Sequence, residues 1–256
     1  MKKNYLIKGL HKIGSTEWWP GSNRSWEGDL YPMYQKMNEL SEQSFFHFLE
    51  DDWELINLVS EAKDVNHVFR QQFQAIWEIW QQERCNIFYC GSDTQMVKPT
   101  RVFDHYQHFL LFNYTDPKKF GPCSHFLNAD VRYYPSSMRR ELWDWALAQT
   151  KTLDWWNSDQ LLYNQMVWSQ GIGAEKVIDP RMAYQGFMLP GDETVKARSD
   201  SWNGCRLEDA HLIHWHGSRG AQAKLELMQN INAQLGVPTV PVRNIPRQII
   251  DISHIP

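Results

Sequence analysis

Asp93, Asp130, Asp159 and His214 each stand in a short stretch that sets an acid or an imidazole among small or amide residues. The stretches are Tyr89-Cys90-Gly91-Ser92-Asp93-Thr94, Phe126-Leu127-Asn128-Ala129-Asp130-Val131, Asn157-Ser158-Asp159-Gln160-Leu161-Leu162-Tyr163-Asn164, and His211 to Gly220. In the first, an apolar run, Ile87-Phe88-Tyr89, stops on two small residues and one carboxylate. Such side chains hold cations, move protons and bind hydroxyls. Each has a plainer reading as well. A lone Asp after a strand is commonly a turn residue or helix cap, and Asp159-Gln160 suits a helix N-terminus for its charge alone. The H-x-x-H-x-H run at His211, His214 and His216 also raises zinc hydrolysis. Strand alternation, however, sends His211 to the opposite face, and no H-E-x-x-H or C-x-x-C supports zinc.

The elements that must position these stretches alternate. Residues 4–10 read as a strand, and 14–28 as a loop too long for a simple connector. A helix follows from about 32 to 47, then a second strand over 53–59. Phe69, Phe73, Ile76, Trp77 and Trp80 share one face of a helix over 66–82. Strands follow at 86–90, 108–113 and 130–134, then a helix capped by Ser136 or Ser137 and running to about Gln149. Another helix spans 157–169, strands recur at 175–179 and 210–214, and a last helix covers 221–235. The tail from Gly236 carries Pro238, Pro241, Pro246 and Pro256, which predicts an extended segment wrapped on the body. Alternating strands and helices predict an α/β fold with a mainly parallel sheet, in which ligands gather beyond the carboxyl ends of the strands.

At 256 residues the chain can build one sizeable core, and no repeat or linker divides it. It is 42% hydrophobic and 22% charged, the make-up of a soluble globular domain, with no apolar run that could span a bilayer. The basic start, Met1 to Lys8, has too short an apolar part for a secretory leader, so a cytoplasmic protein is expected, without membrane insertion. Cys85, Cys90, Cys123 and Cys205 form no metal or disulfide pattern and read as free thiols. The net charge of -4 argues against general affinity for nucleic acid phosphates, though it leaves room for a local basic groove. The 13 Trp include Trp18-Trp19, Trp155-Trp156 and Trp143 beside Trp145, which suit either a core or a surface that stacks sugars or bases.

In order and separation the four stretches resemble the GT-A-type glycosyltransferases, most closely the glycogenin-like and related nucleotide-sugar enzymes. Tyr89 to Pro99 follows the family's Y-L-D-x-D-T…V-x-K-P; Phe126 to Val131 follows F-N-x-G-V. Asp159, Gln160 and Asn164 follow D-Q-x-x-x-N, and Ile213, His214, Gly217 and Arg219 follow I-H-x-x-G with a basic residue beyond. The resemblance covers about residues 30 to 225. Gly91 stands where the pattern has its first Asp, Leu161 where a variant has a further Asp, and Asp130 where it has Gly.

The resemblance implies a single GT-A-type, Rossmann-like domain over 1–235, with 236–256 as a tail packed on it. It implies an enzyme that moves a hexosyl or pentosyl group from a nucleotide diphosphate sugar to an acceptor hydroxyl, on a glycan or a modified base in DNA. Asp93 and His214 would be ligands of Mn²⁺ or Mg²⁺, which offsets charge on the leaving diphosphate. Gly91, Ser92, Asp93, Asn128, Gly217 and Arg219 would bind the donor, with Arg219 on a phosphate. Asp130, Asp159 and Gln160 would orient donor and acceptor, Asp130 as the proton acceptor. Gly91 and Leu161 motivate the competing reading of a module of the same fold that binds nucleotide sugars without turnover.

Overall fold

A computed structural model of the chain describes residues 2–14, 29–103, 105–108, 110–114, 127–152, 158–171, 180–186, 206–215, 221–241 and 243–256. Strand β1 is Asn4–Ile13 and helix α1 is Tyr31–Phe48, with Pro32 in its first turn, where a missing N–H costs nothing. Strand β2, Glu54–Ala62, leads to α2, Val65–Glu83. The Asp64 carboxylate accepts from the His67 amide at 2.8 Å to start α2, and Arg84 ends it in the left-handed region at φ 48°. Then come β3 (Asn86–Cys90), β4 (Thr94–Met96), β5 (Leu110–Tyr114) and β6 (Leu127–Tyr134). Helices α3 (Arg140–Thr150) and α4 (Ser158–Trp168) precede β7 (Tyr184–Gly186) and β8 (Leu212–Trp215). Helix α5 (Ala221–Gln234) and strand β9 (Arg247–Asp251) complete the order.

Six strands form the central sheet in the order β5-β6-β3-β1-β2-β9. The four from β3 to β9 are parallel, and β6 runs against both of its neighbours. The sheet is mainly parallel, as the alternation of elements predicts. Odd residues of β1 face α2, where Gln72 meets His11; even ones face α1, where Lys8 meets Ser41. The two helices therefore cover opposite faces. On the α2 side, Phe69, Phe73, Ile76 and Trp80 are buried, as their spacing predicts. Trp143 of α3 is core: its ring stacks on Tyr134 at 4.9 Å and 16°, and lies 5.6 Å from Trp80. On the α1 side, Phe45 packs edge-on to Phe88.

A second sheet, β4-β8-β7, sits beyond the end of β3, and Met37, Tyr184, Ile213, Trp215, Leu225 and Met228 bind it to α1 and α5. It is what turns the chain after Asp93 toward the His214 segment.

Several boundaries move. The helix expected from Ser136 or Ser137 begins at Arg140, because the Asn86 side chain takes the Ser136 amide at 2.8 Å and Met138 closes a turn on Pro135. The strand expected at 130–134 begins at Leu127, so Asn128 also lies within β6; pairing with Asn113 and Tyr114 of β5 overrides the poor strand preference of Asn. The strand expected at 210–214 starts at Leu212, after a 3₁₀ turn over Leu207–Asp209. In the Pro-containing tail, β9 adds a parallel edge strand along Leu55 to Val59 of β2. The strand expected at 175–179, most of the 14–28 loop, Trp18, Trp19, Trp155 and Trp156 lie outside the described residues. Among the described residues, Cys85 and Cys90 are buried free thiols, and no helix is long and apolar enough to cross a membrane.

Candidate active site

The turn between β3 and β4 is fixed from four sides. The Gly91 amide donates to the Asp130 carbonyl at 2.8 Å, and the Thr94 hydroxyl donates to the Gly91 carbonyl at 2.7 Å. From beneath, the Lys8 ammonium donates to the same carbonyl at 3.0 Å and to Ser41 Oγ at 2.5 Å. The Trp215 amide donates to the Asp93 carbonyl at 2.9 Å. These bonds tie Asp93 to β6 on one side and β8 on the other. Gly91 is there for space: a Cβ would lie 3.3 Å from Asp93 Oδ1 and 3.6 Å from Asp130 Cβ.

The register that sets Thr94 opposite His214 brings the imidazole to the carboxylates. His214 Nε2 lies 3.2 Å from Asp130 Oδ2 and 3.6 Å from Asp93 Oδ1. A third charge completes the group, for Lys224 of α5 reaches Asp93 Oδ2 at 2.6 Å. Helix α5 is held there because Gln95 of β4 donates to the Met228 carbonyl and to Asn232 Oδ1, both at 2.8 Å, and accepts from the Trp215 indole at 2.7 Å. His214, Asp93 and Lys224 are nearly buried, whereas the Asp130 side chain is 50% exposed and opens to solvent.

Burial works against charge on all three covered groups, and the neighbours overcome it. It would raise the Asp93 carboxyl, but Lys224 and His214 hold it below the usual carboxylate range. It would lower His214, but Asp93 and Asp130 raise the imidazole above its ordinary value. It would also lower Lys224, and Asp93 raises that ammonium instead. Burial and the two carboxylates raise the nearby Tyr34 phenol. Lys8 differs: burial brings it down to about 8, and the charges of Cys90, Glu42 and Asp93 offset the loss of water only in part.

The structure thus gathers Asp93, Asp130 and His214 from three distant segments, with Gly91 and Ser92 in the same turn. Asn128 lies two residues before Asp130 on β6, in register with Asn113. Asp159 and Gln160 stand in the first turn of α4, which packs against β6. Gly217, Arg219 and His216 lie outside the described residues. His211 precedes β8 and meets Thr100 Oγ1 at 2.7 Å, away from the His214 carboxylates. Sequence reasoning passed over Lys8 and Lys224. Both had a signal: Lys8 sits inside the apolar run Tyr5 to Leu10, and Lys224 adjoins the Ala221, Leu225, Met228 seam of an amphipathic helix.

Among the described residues, no three His, Cys, Asp or Glu side chains are grouped so as to hold a metal ion. Asp93 Oδ1 and His214 Nε2 offer a two-donor edge 3.6 Å across. Ligands at ~2.1 Å from an octahedral ion lie ~3 Å apart when adjacent, and Mg²⁺-like ions take their remaining ligands from water and substrate phosphates. Asp93 and His214 are the two residues that would hold such an ion, with His214 the softer of the two donors.

Neither a family model nor a curated protein sequence matches the chain. Solved structures do match. One is a glycosyltransferase involved in the glycosylation of the major capsid of PBCV-1, at TM-score 0.50 and 11% identity, over 89% of this chain and 99% of that one. The fold is that of the GT-A glycosyltransferases. The apo form of mouse xyloside xylosyltransferase 1 also matches, at TM-score 0.47 and 10% identity, over 83% of this chain and 98% of that one; at that score it adds nothing to the argument. In this fold the cluster of Asp93, Asp130, His214 and Lys224 lies beyond the carboxyl end of β3, where open α/β sheets bind their ligands.

Proposed function

We propose that the chain is a glycosyltransferase that moves a sugar from a nucleotide diphosphate donor to an acceptor hydroxyl. The observation that carries this reading is the meeting of Asp93, Asp130 and His214 beyond the end of β3 in a GT-A fold. The residues divide the work by their exposure. Asp93 and His214, nearly buried, face the leaving diphosphate, while Gly91 and Ser92 leave room for it against the backbone. Asn128, Asp159, Gln160, Gly217 and Arg219 are assigned to the donor by their places in the motifs, Arg219 to a phosphate. Asp130, half-exposed and 3.2 Å from His214, would take the acceptor proton. A Mn²⁺ or Mg²⁺ ion held by Asp93 and His214 would supply charge neutralisation for the departing diphosphate.

The test is release of nucleotide diphosphate from a panel of hexose and pentose sugar nucleotides with Mn²⁺ present. Acceptors in the panel are glycans and DNA carrying a hydroxylated base. A DNA acceptor predicts binding that weakens steeply with salt. Gly91, in place of a first acid, favours the second reading, a module that binds nucleotide sugars without turnover. Tight donor binding with no hydrolysis or transfer to any acceptor would establish it.

A further inference from the structure

Lys224 lies outside every motif that relates the chain to its fold family, yet it makes the shortest contact in the cluster. Its ammonium is 2.6 Å from Asp93 Oδ2 and its side chain is 12% exposed. An ammonium has three N–H donors. Among the described residues Asp93 is its one hydrogen-bond acceptor, so two donors remain for an oxygen anion. They sit beside a turn that Gly91 and Ser92 keep free of bulk.

The charge pattern is complementary to the missing acid. An Asp at position 91 would carry its Cβ to 3.3 Å from Asp93 Oδ1, setting two carboxylates against each other with a cation needed between them. Here position 91 has no acid, and the carboxylate that remains is already paired with a fixed cation. Asp93 and Lys224 together are neutral, so an incoming diphosphate meets no net repulsion from this pair even before a metal arrives. A purely structural pair would have no use for a buried ammonium with donors to spare. A paired, oriented ammonium is also a rigid one, and holding a donor in place before the ligand arrives strengthens binding.

We propose that Lys224 is a donor-binding residue. Its ammonium, aimed by Asp93, takes an oxygen of the donor diphosphate and carries part of the charge that collects there. Nucleoside diphosphates therefore bind this chain without a divalent cation. This rests on the glycosyltransferase reading.

The experiment uses the quenching of the chain's own tryptophan fluorescence, for which 13 Trp give ample signal. The probes are UDP, GDP and ADP with their parent nucleosides, each titrated in EDTA and again with Mn²⁺. In EDTA the wild type should bind one diphosphate about tenfold more tightly than its nucleoside, the worth of one charge-assisted hydrogen bond. Lys224→Met should lose that preference while binding the nucleoside unchanged, and Lys224→Arg should keep most of it. Should Lys224→Met unfold because it strands the Asp93 carboxylate, the double variant Asp93→Asn with Lys224→Met removes the pair as a neutral unit and serves instead. A preference that survives the loss of Lys224 overturns the proposal. So does a wild type that prefers diphosphates only with Mn²⁺, which leaves the glycosyltransferase reading standing. If no nucleotide binds with or without Mn²⁺, that reading and the proposal fall together.

Discussion

His214 Nε2 sits 3.2 Å from Asp130 Oδ2, joining the small sheet to the central one. The contact follows from two registers. Cys90 opposite Val131 brings Asp130 to the end of β3, and Thr94 opposite His214 brings the imidazole to the same place. Neither segment could make the site alone.

His214→Ala and Asp130→Ala should each lower the rate of nucleotide diphosphate release about 10²-fold or more, the usual size of a lost acid–base or charge-positioning group. Asp93→Ala should do at least as much, because it also strands the Lys224 ammonium. Steady-state kinetics on folded variants checks this, and full activity in both His214→Ala and Asp93→Ala would remove the site assignment. The two should differ from Asp130→Ala in one respect: metal titration should shift for Asp93 and His214 and stay in place for Asp130.

Gly91→Asp restores the missing acid. Its Cβ meets Asp93 Oδ1 at 3.3 Å, so in EDTA the variant should melt below the wild type, since like charges are crowded and the turn must shift. Mn²⁺ should raise the melting temperature of Gly91→Asp more than that of the wild type, because a ligand that binds only the native state stabilises it. Thermal melts with and without Mn²⁺ decide the matter. An equal rise in both proteins would mean that position 91 does not face the cation.

Much of the architecture could be read from the chain because its signals are local. The α2 stripe of Phe69, Phe73, Ile76 and Trp80 and the apolar strands around it are set by periodicity within one element. The β3 turn was legible too, since two small residues and an acid after an apolar run need a reason. What could not be read depends on distant partners. Asn86 captures the Ser136 amide and delays α3; β5 extends β6 back through Asn128 to Leu127; β2 turns part of a Pro-containing tail into β9. Lys224 was missed for the same reason. Its partner is on another element, and a lone Lys on a helix most often points to water.

Trp143→Ala should cost about 3–5 kcal/mol, the range for truncating a large buried aromatic. The ring is fully buried, stacked on Tyr134 and close to Trp80, and α3 closes over the sheet through it. Tyr134 ends the strand that carries Asp130, but Asp130 lies four residues before it in β6. Urea unfolding should therefore show the loss, while the specific activity of the folded fraction stays near that of the wild type. A large drop in specific activity at low denaturant would show that the stack also positions Asp130.

Lys8→Met tests the charge beneath the turn through its pH dependence. Burial brings the Lys8 ammonium from 10.5 to about 8 in the folded protein. Below pH 8 both states are protonated, and the native state bears the whole cost of the buried charge. Between about pH 8 and 10.5 the folded protein sheds its proton while the unfolded chain keeps it, so this group adds stability as pH rises. The full difference is about 3 kcal/mol, and it is complete above the unfolded value. Methionine has nothing to titrate. The stability of the wild type minus that of Lys8→Met should therefore climb from pH 7 to pH 10, and taking the difference cancels the other groups that titrate in that range. Urea unfolding at pH 7, 8.5 and 10 measures it. A flat difference would mean that the ammonium finds enough water or enough partners to keep an ordinary pKa. Independently of pH, losing the bond from Lys8 to the Gly91 carbonyl should loosen the turn that presents Asp93, and activity should fall even where stability rises.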